Sequence, residues 1–423
     1  MQNFLVLPMD ERPCTYNFPK QLGEMAGAKI YIPPREILGN LEKIANYKEL
    51  SDWVLNNAGK VAGMVISTDT LLYGGLIPSR RIPATFEEIS EKLLIFNKLK
   101  KLFPNLVIYV CTTIMRISNS NENQEEKEYW NKFGELIYKY SSLMDKLKIF
   151  SDNDYETYNL ERILEPATNA VQISELKEQI PTDTLKDYIL GRFRNFKINI
   201  LLTELLKEEL IDYLAVCADD SSQHGFNVTE KRILKKIPDK IHSLKNKINI
   251  YPGADEAISV LLARMINKSV SFVPKFYARY SKPGEGSSLI TMYEGVSIRE
   301  TLESQVSSVG GVLVNSLAMA DAILYIHTSE NGQEDQYLNT LFNKNIIPVP
   351  DTIIKGDINN IEGELNKLVV LVDLAYANGA DNYFMNELSV KIDLKKLLSY
   401  SAWNTAGNSL GTALAHASIR KLT

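Results

Sequence analysis

The sequence predicts an α/β protein built on parallel sheets covered by helices. Short apolar runs rich in β-branched residues recur along the chain, and segments with helical spacing separate them. The runs are almost continuously apolar, not alternating, as in strands buried on both faces. The composition is that of a globular chain: 423 residues, 45% hydrophobic and 23% charged, enough to bury a large core.

In chain order the strand candidates are "FLVLPM", "KIYIP", "GMVIST", "LVIYVCTTI", "YLAVCA", "INIYP", "SFVPKFYAR", "GVLVNS", "AILYIH", "NIIPVP" and "LVVLVDLA". From about residue 119 to 209 the rhythm breaks. Three stretches with i, i+3, i+4 apolar spacing predict a helical insertion there. The Gly-, Ser- and Pro-rich "YSKPGEGSSLITMYEG" predicts a linker over 281–295. The expected organisation is a (β/α) barrel-like domain over 1–280 and a smaller α/β domain over 296–423. Two doubly wound parallel-sheet domains are the alternative. No internal repeat is visible.

Several function classes lose support at this stage. A net charge of −5 leaves no basic footprint for nucleic acid. No apolar run is long enough to cross a bilayer, and "MQNFLVLPMDERP" reads as a strand, not a leader, so a cytoplasmic protein is expected. Three scattered cysteines form no disulfide framework, and two of them sit in apolar strand-like runs, as small core residues do. Four histidines without a close pair argue against a zinc site. Neither GxGxxG after a strand nor GxxxxGK[ST] occurs, so no nucleotide cofactor is expected.

The informative pattern is positional. Strand after strand ends in reactive side chains: Asp10, Glu11 and Arg12; Arg35 and Glu36; Asp69 and Tyr73; Arg116 and Asn119; Asp219 and Asp220; Asp255 and Glu256; Arg279. Ligands bind at the carboxyl ends of parallel strands. Helix capping accounts for one acid per junction and suits Glu256 well. It does not account for "DER", for "DD" or for arginines at strand ends. In "YLAVCADDSSQHGF" the adjacent carboxylates repel, which separates their pKa values as acid–base catalysis needs. Asp219 and Asp220 are therefore the candidate catalytic pair. Asp10, Arg12, Asp69, Tyr73, Arg116, His224, Asp255, Arg279, Asn404 and Asn408 are candidate substrate ligands. Amide side chains such as Asn404 and Asn408 suit sugar hydroxyls and acetamido groups.

The blocks "LPMDERPCTYNFP", "STDTLLYGGLIPSRR", "YPGADE", "DLAYANGAD" and "AWNTAGNSLGTALAHA" resemble, in that order, the signature blocks of the bacterial domain-of-unknown-function family 4127. The resemblance runs over nearly the whole chain and carries no assigned activity. The acid pair also resembles that of substrate-assisted N-acetylhexosaminidases. That likeness implies Asp219 as the residue orienting an acetamido group and Asp220 as the acid.

The reading that follows is a glycoside hydrolase acting on a small amino sugar or related glycoside, without cofactor. Its partner is a small sugar, with no nucleic acid and no membrane, and self-association into a homo-oligomer is left open. One alternative is a metal-assisted hydrolase or lyase with Asp69, Asp219, Asp220 and Asp255 as oxygen ligands. The other is a non-enzymatic binding protein for sugars or cell-wall fragments.

Overall fold

The computed structural model describes residues 2–40, 43–150, 156, 158–166, 170–282, 285–330, 332–341, 345 and 347–423. Its strands are β1 (Phe4–Leu7), β2 (Ile30–Tyr31), β3 (Gly63–Ser67), β4 (Val107–Ile114), β5 (Tyr213–Ala218), β6 (Ile248–Pro252), β7 (Lys275–Tyr280), β8 (Val312–Leu313), β9 (Ala322–His327), β10 (Glu334–Asp335), β11 (Val369–Asp373), β12 (Tyr376–Ala377) and β13 (Ser399–Ser401).

Two open sheets result. The first has the order β2-β1-β3-β4-β5-β6, and the second β13-β11-β9-β7-β8. The ladders joining β2, β1, β3, β4 and β5 are parallel, as are those joining β8, β7, β9, β11 and β13. β10 and β12 form a separate short parallel pair. Class and helical cover are as the sequence predicts, but neither sheet closes into a barrel. The doubly wound alternative is the architecture adopted. The reason is winding: the third strand pairs on the far side of the first, so the chain reverses and both edges stay open. The second sheet repeats this, with β7 lying between β8 and β9. The repeat is one of strand order.

Contacts divide the chain into a first unit, Gln2–Asn17 with Lys29–Ile250, and a second, Phe18–Ala28 with Tyr251–Thr423. The division runs through β6 and not at residue 280, because β7 pairs with β8 and β9 in the second sheet. The predicted insertion contains the helices Trp130–Lys146, Leu160–Leu164, Val171–Glu178 and Thr182–Lys207 among its described residues. Residues 151–155, 157 and 167–169 of it lie outside them. In the predicted linker Pro283 and Gly284 lie outside as well. The remainder makes a tight turn at Gly286–Ser288 and a bridge between Ile290 and Ser297. "NIIPVP" forms no strand among its described residues, whereas "SYS" does.

In the first unit β3, β4 and β5 are almost wholly buried, and the 26-residue helix Thr182–Lys207 packs on β4 and β5. Leu5, Ile66, Ile108, Val110, Leu214 and Val216 lie in this core. At about 1.5–3 kcal/mol for each large apolar side chain, that burial is what holds the strand ends in place. The second unit has its own core around Tyr325, Ile361, Leu371 and Phe384. Among the described residues, no helix is long and apolar enough to cross a membrane.

Candidate functional site

The first unit gathers its reactive side chains at the carboxyl ends of β3, β4 and β5. After β3 the chain makes a five-residue π-helical turn, Asp69–Tyr73, closed by Gly74 in the left-handed region at φ 86°. Backbone bonds from Gly74 to Thr70 and from Gly75 to Asp69 lock it. An added Cβ at Gly74 would collide with Ile44 and Ala45, so glycine is required there for space as well as for φ. The short helix Leu76–Arg81 then carries Arg80 back over the strand ends.

Arg80 is the hub. Its Nη2 donates to Asp219 Oδ2 at 2.5 Å, and its Nη1 meets Glu125 Oε2 at 3.1 Å and Glu126 Oε1 at 3.4 Å. Arg116, just past β4, takes the same two glutamates, Glu125 Oε2 at 3.0 Å and Glu126 Oε1 at 3.1 Å, and adds Asp220 Oδ2 at 3.3 Å. Burial alone would weaken the charge on Arg80. Asp219, Glu126 and Glu125 more than restore it, so Arg80 stays firmly cationic.

The adjacent acids are therefore not left as a mutually repelling pair, although they belong to one ion-pair network. Asp219 and Asp220 turn to different guanidiniums, because successive residues leaving a strand point to opposite sides. The carboxyl driven toward neutrality is Asp69. It is buried, and burial pushes its pKa up to about 7 against the Thr113 hydrogen bond; nearby Asp219 adds to the rise and Arg80 opposes it. Thr113 Oγ1 donates to Asp69 Oδ1 at 2.7 Å, while the buried Oδ2 has no hydrogen-bond partner. A proton on Oδ2, or a ligand donor facing it, would satisfy that oxygen.

At the end of β1, Asp10 Oδ1 accepts from the Arg12 amide and the Thr15 hydroxyl, and its Oδ2 holds the Arg12 guanidinium at 2.7 Å. This turn lies next to the β3 end, since Thr70 Oγ1 donates to the Met9 carbonyl. Tyr73 is buried in the core with the Arg194 guanidinium 5.2 Å from its ring centroid. His224 turns to Asp145, 3.1 Å away on the helix Trp130–Lys146.

The other predicted ligands belong to the second unit. Asn404 Nδ2 donates to Asp255 Oδ2 at 3.2 Å, and Asn408 Nδ2 to Glu256 Oε2 at 2.6 Å. Gln305 Nε2 donates to Glu256 Oε1 at 2.5 Å. Glu256 is fully buried, and that burial pushes it up to about 8 although both amides favour its ionised form. No side chain caps the helix Ala257–Ser269 at Glu256, so capping does not account for that residue. Arg279, at the end of β7, is held by Glu364 at 2.6 Å.

Several participants escaped the sequence reading. Arg80, Glu125 and Glu126 sit in "PSRR" and "NQEEKEYW", which look like ordinary solvated helix faces. Only the pair "EE" ahead of an apolar helix, echoing "DD", offered a signal. His327 was also missed. Its Nδ1 lies 2.6 Å from Asp357 Oδ2, its Nε2 3.3 Å from Asp381 Oδ2, and its ring stacks on Phe384. Two carboxylates push it up to about 9 against its burial. Among the described residues no three His, Cys, Asp or Glu side chains are grouped so as to hold a metal ion.

Fold and site together define a doubly wound parallel α/β protein carrying a carboxyl–guanidinium cluster at its strand ends. The chain belongs to the family described as "Protein of unknown function (DUF4127)", whose model matches residues 4–423. No curated protein and no solved structure matches it.

Proposed function

We propose that the first unit is an acid–base hydrolase acting on a small polar glycoside, with Asp69 as the proton donor and Asp219 as the ionised carboxylate. Glycosidic cleavage needs one carboxyl protonated near neutral pH and a second kept charged. The observation that carries the reading is Asp69: a buried carboxyl raised to about 7, one oxygen without a partner, beside a carboxylate that Arg80 neutralises. The acid moves from Asp220 to Asp69 because Asp220 is bound to Arg116 and half-exposed. Arg116 and the turn at Asp10 and Arg12 would line the substrate's path.

A panel of aryl glycosides assayed from pH 5 to 9, with wild type, Asp69→Asn and Asp219→Asn, tests this. Cleavage of at least one glycoside by the wild type and near-complete loss in both variants is expected. Full turnover in Asp69→Asn would end the assignment. Loss on EDTA with recovery on Mg²⁺ would favour the metal-assisted reading instead.

A further inference from the structure

We propose that Arg80 and Arg116 form a subsite for a substrate carboxylate, and that Glu125 occupies it in the free protein. The inference rests on reading the strand ends of the first unit as the active site, and it adds the substrate class: a glycoside bearing a single carboxylate, of the uronic-acid kind.

The two loop glutamates touch the same two arginines but differ in burial. Glu126 is 5% exposed, and its Oε1 bridges Arg80 Nη1 and Arg116 Nε. Glu125 is 38% exposed, and its Oε2 alone receives Arg80 Nη1 at 3.1 Å and Arg116 Nη2 at 3.0 Å. One carboxylate oxygen gripped by two guanidiniums is how an enzyme holds a ligand carboxylate. Glu126 keeps the arginines aligned, whereas Glu125 can leave toward solvent.

The loop need not open for this exchange. Arg81 Nη2 holds the carbonyls of Asn123 and Gln124, and Trp130 Nε1 holds that of Ser120. A rotamer change of Glu125 is enough. Two buried polar atoms in the same cluster, Asp69 Oδ2 and Arg80 Nε, have no hydrogen-bond partner. Both mark it as a place built for a further polar group.

Charge selects the ligand. Four carboxylates face two guanidiniums in the cluster. A substrate carboxylate in place of the Glu125 oxygen keeps the same number of carboxylates gripped by the two arginines, while Glu125 carries its own charge out to solvent. A phosphate would bring a second negative charge into a cluster already rich in carboxylates, and a neutral sugar would offer the Arg80 and Arg116 N–H groups vacated by Glu125 no charged acceptor.

Calorimetric titration of the full chain with glucuronate, glucose and glucose 6-phosphate tests the subsite. With Glu125 removed, the arginines no longer have an internal competitor, so Glu125→Ala and Glu125→Gln should bind glucuronate about tenfold tighter than wild type, or more. Glucose should gain nothing, and Glu125→Ala combined with Arg116→Ala should lose the gain. Equal glucuronate affinity in wild type and both Glu125 variants would overturn the proposal, as would an equal gain for glucose. A larger gain for glucose 6-phosphate would overturn the assignment to a monocarboxylate. The assay reads binding and not turnover, so the result stands or falls separately from the role given to Asp69.

Discussion

Thr113 Oγ1 donates to Asp69 Oδ1 at 2.7 Å, joining the end of β4 to the turn after β3. The bond pins one carboxyl oxygen and leaves the other, buried, without a hydrogen-bond partner. If Asp69 is the proton donor proposed above, it must carry its proton, so kcat/KM should be high below pH 7 and fall about tenfold per unit above it, following the pKa of Asp69 near 7. Asp69→Asn should lose about 10²- to 10⁴-fold and show no such limb. The pH–rate profiles of the two proteins check this.

Glu256 predicts a pH-linked stability in the second unit. Its folded pKa of about 8 lies above the ordinary 4.5, so the folded state binds the extra proton. The stabilisation is complete below 4.5 and is lost as pH rises toward 8. Glu256→Gln should flatten that slope, at a pH-independent cost of about 1–3 kcal/mol. The cost arises because its amide sets a donor against the donors of Gln305 or Asn408. Urea unfolding at pH 5, 7 and 8.5 measures both effects.

His327 titrates higher. Held by Asp357 and Asp381 and raised from 6.5 to about 9, it contributes stability in full below pH 6.5 and loses it as pH passes 9. His327→Gln leaves Asp357, Asp381 and nearby Asp373 buried without the imidazolium. It should cost about 3–5 kcal/mol at pH 7. Denaturant midpoints of wild type and variant from pH 6 to 10 should converge above pH 9; parallel curves would contradict the assignment.

Arg80→Lys retains the charge but not the fork. One ammonium cannot reproduce a guanidinium spread over Asp219, Glu125 and Glu126. The variant should lose about 2–4 kcal/mol of stability, as when a buried network loses one of its partners. It should also lose at least about tenfold in turnover, the scale of a misplaced catalytic group. Thermal melts and steady-state kinetics test the two losses separately.

Gly411 sits where a methyl group would meet the Glu256 side chain and the Gln305 amide. Gly411→Ala should destabilise by about 1–3 kcal/mol, since Glu256 at the start of the helix Ala257–Ser269 and Gln305 on the helix Ile298–Ser308 are both buried where those helices pack on Ala406–Leu422. The melting temperature reads it directly.

Local chemistry decided the α/β class and the alternation of buried parallel strands with helices. Apolar period, β-branching and charge act between residues close in the chain, so they are legible in it. The winding of each sheet was not legible, because strand order depends on crossovers that leave no mark on the strands they join. Nor was the ion-pair partner of Asp219. The sequence sets it beside Asp220, but tertiary structure sets it against Arg80, 139 residues away, and within the field of Asp69. A pKa follows from burial and from charges within a few ångströms, and only the folded chain brings those together.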